Sequence, residues 1–199
     1  MTGYGFIYKY FGGFFRKLFR IRVRGAENEP AEGGLLVCAN HLSNWDVVIL
    51  AVTLHRPLRF FAKKELFSVP IVKNFVSAMG AFPADRGSAD LGALRTAMKI
   101  VREGGLVGFF PQGTRCPHKD PRDTEIKHGC AVLSHRANAA ILPVAIKTKG
   151  WKILPFKRVD VSIGKPITPE ELKVDKGGKE QYRAASEYVF SKITEMLDE

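Results

Sequence analysis

The stretch that decides the fold is residues 35–46, Leu35-Leu36-Val37-Cys38-Ala39-Asn40-His41-Leu42-Ser43-Asn44-Trp45-Asp46. Its first five residues are apolar, and a short continuous apolar run is typical of a strand buried on both faces. The polar residues that follow indicate a loop at the exit of this strand. A helix is predicted next, over residues 43–54, because Ser43 is of a type that often caps helices.

His41 and Asp46 lie five positions apart at this strand exit. A carboxylate that accepts one imidazole N–H leaves the other ring nitrogen free to take a proton from a hydroxyl, so the pair can form a base and its orienter. A structural interpretation makes Asp46 the third-residue carboxylate of a Ser-x-x-Asp capping box that begins at Ser43. Both interpretations can hold together, because such a cap places His41 beside the helical turn that carries Asp46.

Strand-like and helix-like segments alternate along the rest of the chain. This pattern predicts α/β architecture, a single domain over residues 25–199 with a mixed, largely parallel sheet flanked by helices. Active residues of such sheets collect in loops beyond the carboxyl ends of the strands. The predicted strands are 35–39, 58–62, 81–83, 106–110, 141–146 and 159–163, and the predicted helices are 43–54, 70–79, 88–103, 129–137 and 180–197. Ser88 is the predicted cap of the third of these helices, which spans residues 88–103.

Size and charge restrict the function. The chain has 199 residues, enough for one well-packed domain, and a formal net charge of +11. The excess of cations suggests an anionic partner: nucleic acid, an anionic membrane surface or a phosphorylated substrate. Three cysteines and no visible signal peptide favour reduced thiols in the cytoplasm. No apolar stretch reaches the roughly 18 residues of a spanning helix, so membrane contact is expected from one side only.

Residues 1–24 carry Lys and Arg side chains but no acidic residue. The apolar residues between Tyr4 and Phe19 recur at helical spacing, and cations lie on or beside the opposite face. This combination is typical of a helix in the headgroup plane of an anionic membrane. We therefore expect residues 1–24 to form an amphipathic membrane-association segment. The alternative is that its apolar face packs on the domain. Nucleic acid is not an expected partner, because no zinc-finger spacing or RNP-type motif is present.

Cationic residues also follow three other predicted strands. They are Lys64, Arg86 and Arg115. Arg115 ends the run Gln112-Gly113-Thr114-Arg115, in which Thr114 supplies a hydroxyl group and Gly113 permits close approach of the backbone. Arginine presents a planar fork of donors that pairs with two phosphate oxygens at once, and lysine adds a point charge. Because parallel strands end at one edge of a sheet, these residues together predict a phosphate site near His41.

Four blocks occur in an order that carries a family resemblance: Asn40-His41-x4-Asp46, Gly80-Ala81-Phe82-Pro83-Ala84-Asp85-Arg86, Phe109-Phe110-Pro111-Gln112-Gly113-Thr114-Arg115 and Ile141-Leu142-Pro143-Val144. Over about residues 6–167 the chain resembles the glycerolipid acyltransferases with the His-x4-Asp motif, and most closely the short bacterial 1-acylglycerol-3-phosphate acyltransferases (lysophosphatidic acid acyltransferases). The resemblance implies a peripheral, monotopic enzyme on the cytoplasmic face of the cell membrane. It would move an acyl group from coenzyme A or acyl carrier protein to lysophosphatidic acid, giving phosphatidic acid for phospholipid synthesis, without a cofactor.

The resemblance also implies roles for single residues. His41 is expected to be the general base and Asp46 to fix its tautomer, while Asn40 or backbone N–H groups support the oxyanion. Arg86 and Arg115 would hold the acceptor phosphate, and Lys64, Gly113 and Thr114 would complete that site.

Gln112 stands where this family usually has a glutamate. Glutamine keeps the shape and one carbonyl acceptor but loses a negative charge. If the family glutamate hydrogen-bonds the glycerol phosphate, Gln112 can partly replace it. If the glutamate balances the charge of nearby arginines, phosphate should instead bind more tightly in this chain.

Other interpretations stay open at this point. Cys116, His118, His128 and Cys130 are zinc-type ligands that would fit a zinc-dependent hydrolase, but each pair is separated by one residue instead of the usual two to four or so, and we expect no metal site. A non-catalytic membrane adaptor would need the basic aromatic segment alone. A different acceptor, glycerol 3-phosphate or another lysophospholipid, is the alternative within the acyltransferase interpretation. His55 and His135 have no visible partner and are predicted to be surface or packing residues.

Overall fold

The structure is a computed structural model that describes residues 12–78, 80–84 and 90–198, with only the backbone described at positions 71, 72, 75 and 78. Residues 12–18 are helical, in agreement with the predicted amino-terminal helix, whose earlier part lies outside the described residues. Arg86 also lies outside the described residues. Within the described ranges, no helix is long and apolar enough to cross a membrane.

Seven described strands form one mixed sheet. They are β1 (Ile21–Arg24), β2 (Leu35–Ala39), β3 (Leu58–Lys63), β4 (Phe82–Ala84), β5 (Leu106–Phe109), β6 (Ala140–Thr148) and β7 (Val159–Ile163). Their order in the sheet is β1-β7-β6-β2-β5-β3-β4. The five strands from β6 to β4 are parallel, whereas β7 is antiparallel to β6 and β1 is parallel to β7. The predicted mixed, largely parallel sheet is confirmed.

Helices cover both faces of this sheet. They are α1 (12–18), α2 (Trp45–Thr53), α3 (Pro70–Ala78), α4 (Leu91–Arg102), α5 (Gly129–Ala137) and α6 (Lys179–Glu195). One predicted start is wrong, because α4 begins at Leu91 and is capped by Asp90 rather than by Ser88. The Asp90 carboxylate accepts a hydrogen bond from the Ala93 N–H over 2.9 Å, which satisfies a donor of the first turn.

Strand β1 is an element that the sequence did not distinguish within the segment 1–24. Its residues pair one by one with β7, from Ile21 opposite Val159 to Arg24 opposite Ser162. Burial alternates along β1, as expected for a strand with one covered and one open face. The last four residues of the predicted membrane-association segment therefore belong to the sheet.

The position of β2 explains its continuous apolar sequence. Leu35 and Val37 pack with residues of α1 and α2 on one face of the sheet, whereas Leu36 and Cys38 pack with α4, α5 and α6 on the other. Burying each leucine or valine side chain stabilises the fold by about 1.5–3 kcal/mol. A strand between two helical layers must be apolar at every position, which is the pattern that the sequence shows.

The carboxyl ends of β6, β2 and β5 lie side by side, because these strands are adjacent and parallel. The loops that leave them comprise residues 149–158, 40–44 and 110–128 respectively. All three loops therefore meet at one edge of the sheet, which is where sites of open α/β sheets are found.

Candidate active site

His41 and Asp46 form a buried pair at this edge. The His41 Nδ1 atom lies 2.7 Å from the Asp46 Oδ2 atom. Asp46 is fully buried and His41 is 8% exposed, so the imidazole is close to the protein surface while the carboxylate is not. With Nδ1 bonded to the carboxylate, Nε2 is the ring nitrogen that remains for a substrate. The structure thus brings the two predicted catalytic residues together in the arrangement of a base and its orienter.

The same carboxylate oxygen also fixes the loop that carries the imidazole. Asp46 Oδ2 accepts hydrogen bonds from the backbone N–H groups of Leu42, at 2.6 Å, and Ser43, at 2.8 Å. The bond from Ser43 is one half of the predicted capping box. In the other half the Ser43 hydroxyl was expected to accept from the Asp46 N–H, but it accepts from the Trp45 N–H instead, at 3.2 Å. The contacts of Asp46 are therefore those of one half of the capping box together with a hydrogen-bond partner of His41.

Burial raises the pKa of Asp46 above its ordinary value of 3.8, while the hydrogen bonds from His41, Ser43 and Leu42 act in the opposite direction. Burial disfavours the charged form of a carboxyl group and these donors favour it. The other oxygen, Oδ1, is buried and has no hydrogen-bond partner. The Asp46 carboxylate is thus held by one oxygen alone, which concentrates its contacts on the imidazole and its loop.

Phe110, the residue after β5, supports the imidazole from one face. Its ring is stacked on the His41 ring, with centroids 3.9 Å apart and planes 11° apart. Phe60 of β3 is in turn stacked on Phe110 at 6.2 Å. The sequence did not reveal this role of Phe110. The one feature that could have indicated it is an aromatic residue at the exit of a neighbouring strand. The stack restricts rotation of the imidazole, so its free nitrogen points in a defined direction.

Gln112 holds the backbone of His41. Its Oε1 atom accepts a hydrogen bond from the His41 N–H over 2.6 Å, and its Nε2 atom donates to the Thr124 hydroxyl oxygen over 2.9 Å. The His41 carbonyl oxygen accepts from the Cys116 N–H at 2.8 Å. Both backbone groups of His41 are thereby bonded to the loop after β5. Gln112 is buried, and the substrate contact predicted for it stays a prediction.

Asn40 connects the same loop to β6. Its side-chain amide donates to the Ile146 carbonyl oxygen over 2.9 Å and accepts from the Ile146 N–H over 2.7 Å. These two bonds continue the ladder between β2 and β6 beyond Ala39, where the backbone of β2 leaves the sheet. Because the Asn40 side chain is fully buried, its direct effect is to fix the position from which His41 departs. The oxyanion contact predicted for Asn40 stays a prediction.

A basic cavity of about 480 Å³ adjoins the His41 loop. All three loops of this edge line it, with Trp45 and residues 42–44 on one side and Thr114 and Arg115 on another. Lys152, from the loop after β6, and His118 complete its polar wall. In the described residues neither Arg115 nor Lys152 forms an ion pair with a carboxylate. The cavity can therefore accept an anionic group, and the sequence had not indicated Lys152.

Two residues beside this cavity adopt an unusual backbone conformation. His118 has a φ of 63° and Trp151 has a φ of 53°. The left-handed conformation costs a residue other than glycine about 1–2 kcal/mol, and such residues cluster at functional sites. The His118 N–H donates to the Trp151 carbonyl oxygen over 3.0 Å. This bond joins the loop after β5 to the loop after β6 and so connects two walls of the cavity.

Some of the remaining residues predicted to bind the substrate line the cavity, and one does not. Thr114 and Arg115 line the cavity, and Gly113 precedes them with a φ of 68°. The side chain of Lys127 lies over Gly113, where a Cβ atom would be 2.9 Å from the Lys127 Cδ atom. Glycine is thus favoured there by its backbone conformation, whereas the flexible Lys127 side chain could move to admit a Cβ atom. Lys64 lies in a short 3-10 turn after β3 and is not among the residues that line the cavity.

The proposed zinc ligands are not brought together. In the described part of the chain, no group of three or more His, Cys, Asp or Glu side chains is arranged to hold a metal ion. Cys130 is buried against Ser186, with its Sγ atom 3.5 Å from the serine Oγ atom. Cys116 and His118 instead belong to the loop that lines the basic cavity.

Comparisons with known proteins identify the family of the chain. The family model described as Acyltransferase matches residues 20–147. A 1-acyl-sn-glycerol-3-phosphate acyltransferase from Bacillus subtilis (strain 168) is 29% identical over 180 residues, which cover 88% of this chain and 87% of that protein. A protein of the same name from Borreliella burgdorferi is 32% identical over 129 residues, covering 64% of this chain and 51% of that protein.

A solved structure shares the fold. The crystal structure of the 1-acyl-sn-glycerophosphate (LPA) acyltransferase PlsC from Thermotoga maritima matches with a TM-score of 0.75 and 23% sequence identity. The match covers 98% of this chain and 80% of that chain. The α/β architecture described above is therefore the architecture of that protein.

Proposed function

Because the chain belongs to the acyltransferase family, whose model matches more than half of it, we propose that it acylates 1-acylglycerol 3-phosphate. The reaction transfers a fatty acyl group from an acyl thioester to the free hydroxyl of the acceptor and gives phosphatidic acid. The relatives named above carry this activity in their names. The observation that carries the proposal is the buried His41–Asp46 pair, 2.7 Å between Nδ1 and Oδ2, beside a cavity whose cations form no ion pair with a carboxylate of the described residues.

The imidazole is the base of the reaction. His41 Nε2 removes the proton of the acceptor hydroxyl as its oxygen forms a bond to the thioester carbonyl carbon. The tetrahedral intermediate then breaks its C–S bond, and the leaving thiolate takes the proton back from the imidazolium. General base catalysis of this kind contributes about 10²–10⁴ in rate. No protein nucleophile is needed, because the attacking hydroxyl belongs to the acceptor.

Asp46 makes the imidazole an effective base. Its carboxylate holds the proton on Nδ1, so that Nε2 presents a lone pair, and it stabilises the imidazolium that forms in the transition state. The bonds from Leu42 and Ser43 prevent the carboxylate from turning away. Gln112 and Asn40 act through His41 by fixing its backbone, which is a positioning role.

The phosphate of the acceptor is the anionic group that fits the cavity. Arg115 can pair with two of its oxygens, Thr114 can donate one hydroxyl bond, and Lys152, from the loop after β6, adds a point charge. Arg86 and Lys64 are proposed as further phosphate ligands from the neighbouring strand exits. With a neutral Gln112 in place of a carboxylate, the cations near the cavity lose one source of charge compensation, which favours tight binding of the phosphate.

We further propose that the enzyme works at the cytoplasmic face of the cell membrane as a peripheral protein. The apolar and basic side chains of α1 support a lipid-surface partner, since Phe14, Lys17 and Arg20 are exposed. Acyl-coenzyme A or acyl carrier protein is the proposed donor, and the chemistry requires no further cofactor. Nucleic acid is not proposed as a partner.

A panel assay tests the proposal. Purified protein is supplied with acyl-coenzyme A or acyl-acyl carrier protein, and with lysophosphatidic acid, glycerol 3-phosphate or lysophosphatidylcholine as acceptor. We expect phosphatidic acid from lysophosphatidic acid, and a much lower kcat/KM with lysophosphatidylcholine, whose phosphate carries a bulky cationic group. Preferential acylation of glycerol 3-phosphate would assign the alternative acceptor. The absence of acyl transfer to every acceptor would contradict the proposed function.

A further inference from the structure

The loop between β6 and β7 carries the most exposed large apolar side chain in the described part of the chain. Phe156 is 72% exposed, and Leu154 two residues earlier is also exposed. Ile153, the next residue back, is instead buried in the core layer that contains α2. Adjacent residues of one loop thus divide sharply between core and surface. Exposed apolar residues that form a patch mark sites of interaction rather than ordinary surface.

This loop is held in place by hydrogen bonds to the end of α1. The Phe156 N–H donates to the Leu18 carbonyl oxygen over 2.6 Å, and the Val159 N–H donates to the Phe19 carbonyl oxygen over 3.2 Å. Phe156 itself has a φ of 62°, a left-handed conformation that disfavours a phenylalanine. The fold therefore maintains both an unfavourable backbone conformation and an exposed ring at the same residue. Such strain is typical of functional positions.

The loop and α1 share one charge pattern. Residues 147–159 and residues 12–24 contain no Asp or Glu, and both contain several Lys and Arg residues. Lys149, Lys152 and Lys157 form no ion pair within the described residues, and each is exposed. Phe14 and Trp45 add exposed aromatic surface on the α1 side, where Trp45 contacts Phe15. Arg158 of the loop is paired with Asp160 of β7, but the lysines beside Leu154 and Phe156 are not paired within the described residues. Apolar side chains flanked by such cations fit the interface of an anionic bilayer.

We propose that the loop of residues 149–158 is a second lipid-contact element, which inserts Leu154 and Phe156 into an anionic bilayer beside α1. The proposal rests on the proposed function, because the occupant is the membrane that contains the lysolipid acceptor. Lys152 and Ile153 of this loop also line the basic cavity. The element would therefore seat the cavity mouth at the headgroup level, where the acceptor phosphate lies, while the acyl chain of the acceptor stays in the bilayer.

The decisive variant is Phe156→Gly in the full-length protein. Glycine removes the ring and also accepts the positive φ without strain, so loss of binding cannot be ascribed to a damaged fold. We expect an unchanged or higher Tm, and a roughly tenfold weaker partition to vesicles of phosphatidylglycerol and phosphatidylcholine. Leu91→Ser is the matched control, because Leu91 is 57% exposed but lies on α4, in the opposite helical layer. We expect this control to bind the vesicles like the wild type.

Two further measurements make the outcome unambiguous. With substrates dispersed in detergent, Phe156→Gly should retain wild-type turnover, whereas turnover on vesicle-embedded lysophosphatidic acid should fall with the partition. An unchanged vesicle partition would overturn the proposal, and so would a dimer in solution that only this substitution dissociates, which would make the loop a contact between two copies. A wild-type protein that binds vesicles through Phe156 but transfers no acyl group would refute the proposed function and leave the lipid contact established.

Discussion

Two histidine–carboxylate pairs flank helix α2, and they differ in what surrounds them. His41 Nδ1 lies 2.7 Å from Asp46 Oδ2 before the helix, and His55 Nδ1 lies 3.0 Å from Glu29 Oε2 after it. Each carboxylate group also accepts two backbone N–H bonds, at Leu42 and Ser43 for Asp46, and at His55 and Arg56 for Glu29. The local geometry of the two pairs is therefore nearly the same.

The surroundings separate the proposed catalytic pair from the other pair. The His41 side chain is 10% exposed, stacked on Phe110 and placed beside a basic cavity, whereas the His55 side chain is 67% exposed. The Glu29 side chain is 2% exposed, so its carboxylate anchors the backbone of His55 and Arg56 while the His55 ring lies in solvent. The comparison teaches that a short imidazole–carboxylate distance does not define a base. A fixed ring and a neighbouring site for the substrate are also required.

The largest expected effect distinguishes the two histidines. His41→Ala should lower kcat by about 10⁴-fold, the upper end of the range for a general base. His55→Ala should leave kcat unchanged, because its ring faces solvent away from the described cavity. Steady-state acyl transfer measures the first effect, and circular dichroism shows that both variants fold. A His41→Ala enzyme with wild-type turnover would reject the assignment of the base.

The second-largest expected effect distinguishes the carboxylates of Asp46 and Glu29. Asp46→Asn keeps an oxygen for the Leu42 and Ser43 bonds but no longer stabilises the imidazolium, so kcat should fall by about 10²–10⁴. Glu29→Gln makes the same chemical change in the other pair and should leave kcat at the wild-type value. An equal loss in both variants would mean that the loss comes from general destabilisation. Comparison of kcat at matched fractions of folded protein measures the difference.

Asp46→Asn should also change the pH dependence of stability. Because burial raises the pKa of Asp46, the unfolded chain ionises this group at a lower pH than the folded protein does. Protonated Asp46 therefore stabilises the folded protein. This contribution to the free energy of unfolding is complete below pH 3.8, the ordinary pKa, and is lost as pH rises through the raised pKa. The Tm of the wild type minus that of Asp46→Asn should therefore decrease with rising pH in this window. Thermal melts at a series of pH values would expose an increase, which would contradict the effect of burial.

A smaller effect is expected from the cations of the cavity. Arg115→Ala and Lys152→Ala should each raise KM for the phosphorylated acceptor by about tenfold, because each removes a charge-assisted contact. The acyl donor KM should not change. Arg183→Ala is the matched control, since this arginine is exposed on α6 and paired with Glu187. A change confined to the donor KM would assign the cavity to the donor instead of the acceptor.

The smallest expected effect concerns Gln112→Glu, which restores the residue usual in the family. The new carboxylate can still accept from the His41 N–H, but the Thr124 hydroxyl must then donate to it and give up its bond to the Pro121 carbonyl oxygen. The exchange should cost about 0.5–1.5 kcal/mol of stability. Urea unfolding measures this cost, and a gain in stability would show that the neutral side chain is not adapted to Thr124.

The two pairs also show how far a sequence can be interpreted. The pair of His41 and Asp46 was found because its members are five residues apart and share one loop with a strand exit. His55 lies at the surface, as predicted, but its partner was not visible in the sequence because Glu29 lies in a different connector, 26 residues earlier. His135, whose partner was not visible either, lies 2.9 Å from the Tyr182 hydroxyl of α6. Local spacing reveals short-range contacts and is silent about contacts between distant segments.

By itself, the sequence determined the alternation of strands and helices, the burial of β2 on both faces and the loop that carries the proposed base, because hydrophobic periodicity depends on neighbouring residues. Only the tertiary structure decided that Phe110 stacks on His41, that Gln112 bonds its backbone, and that Lys152 and Arg115 line one cavity. Those contacts join the exits of three strands that are far apart in the chain. Their meeting at one edge follows from the pairing of β6, β2 and β5, which long-range packing selects and no local pattern encodes.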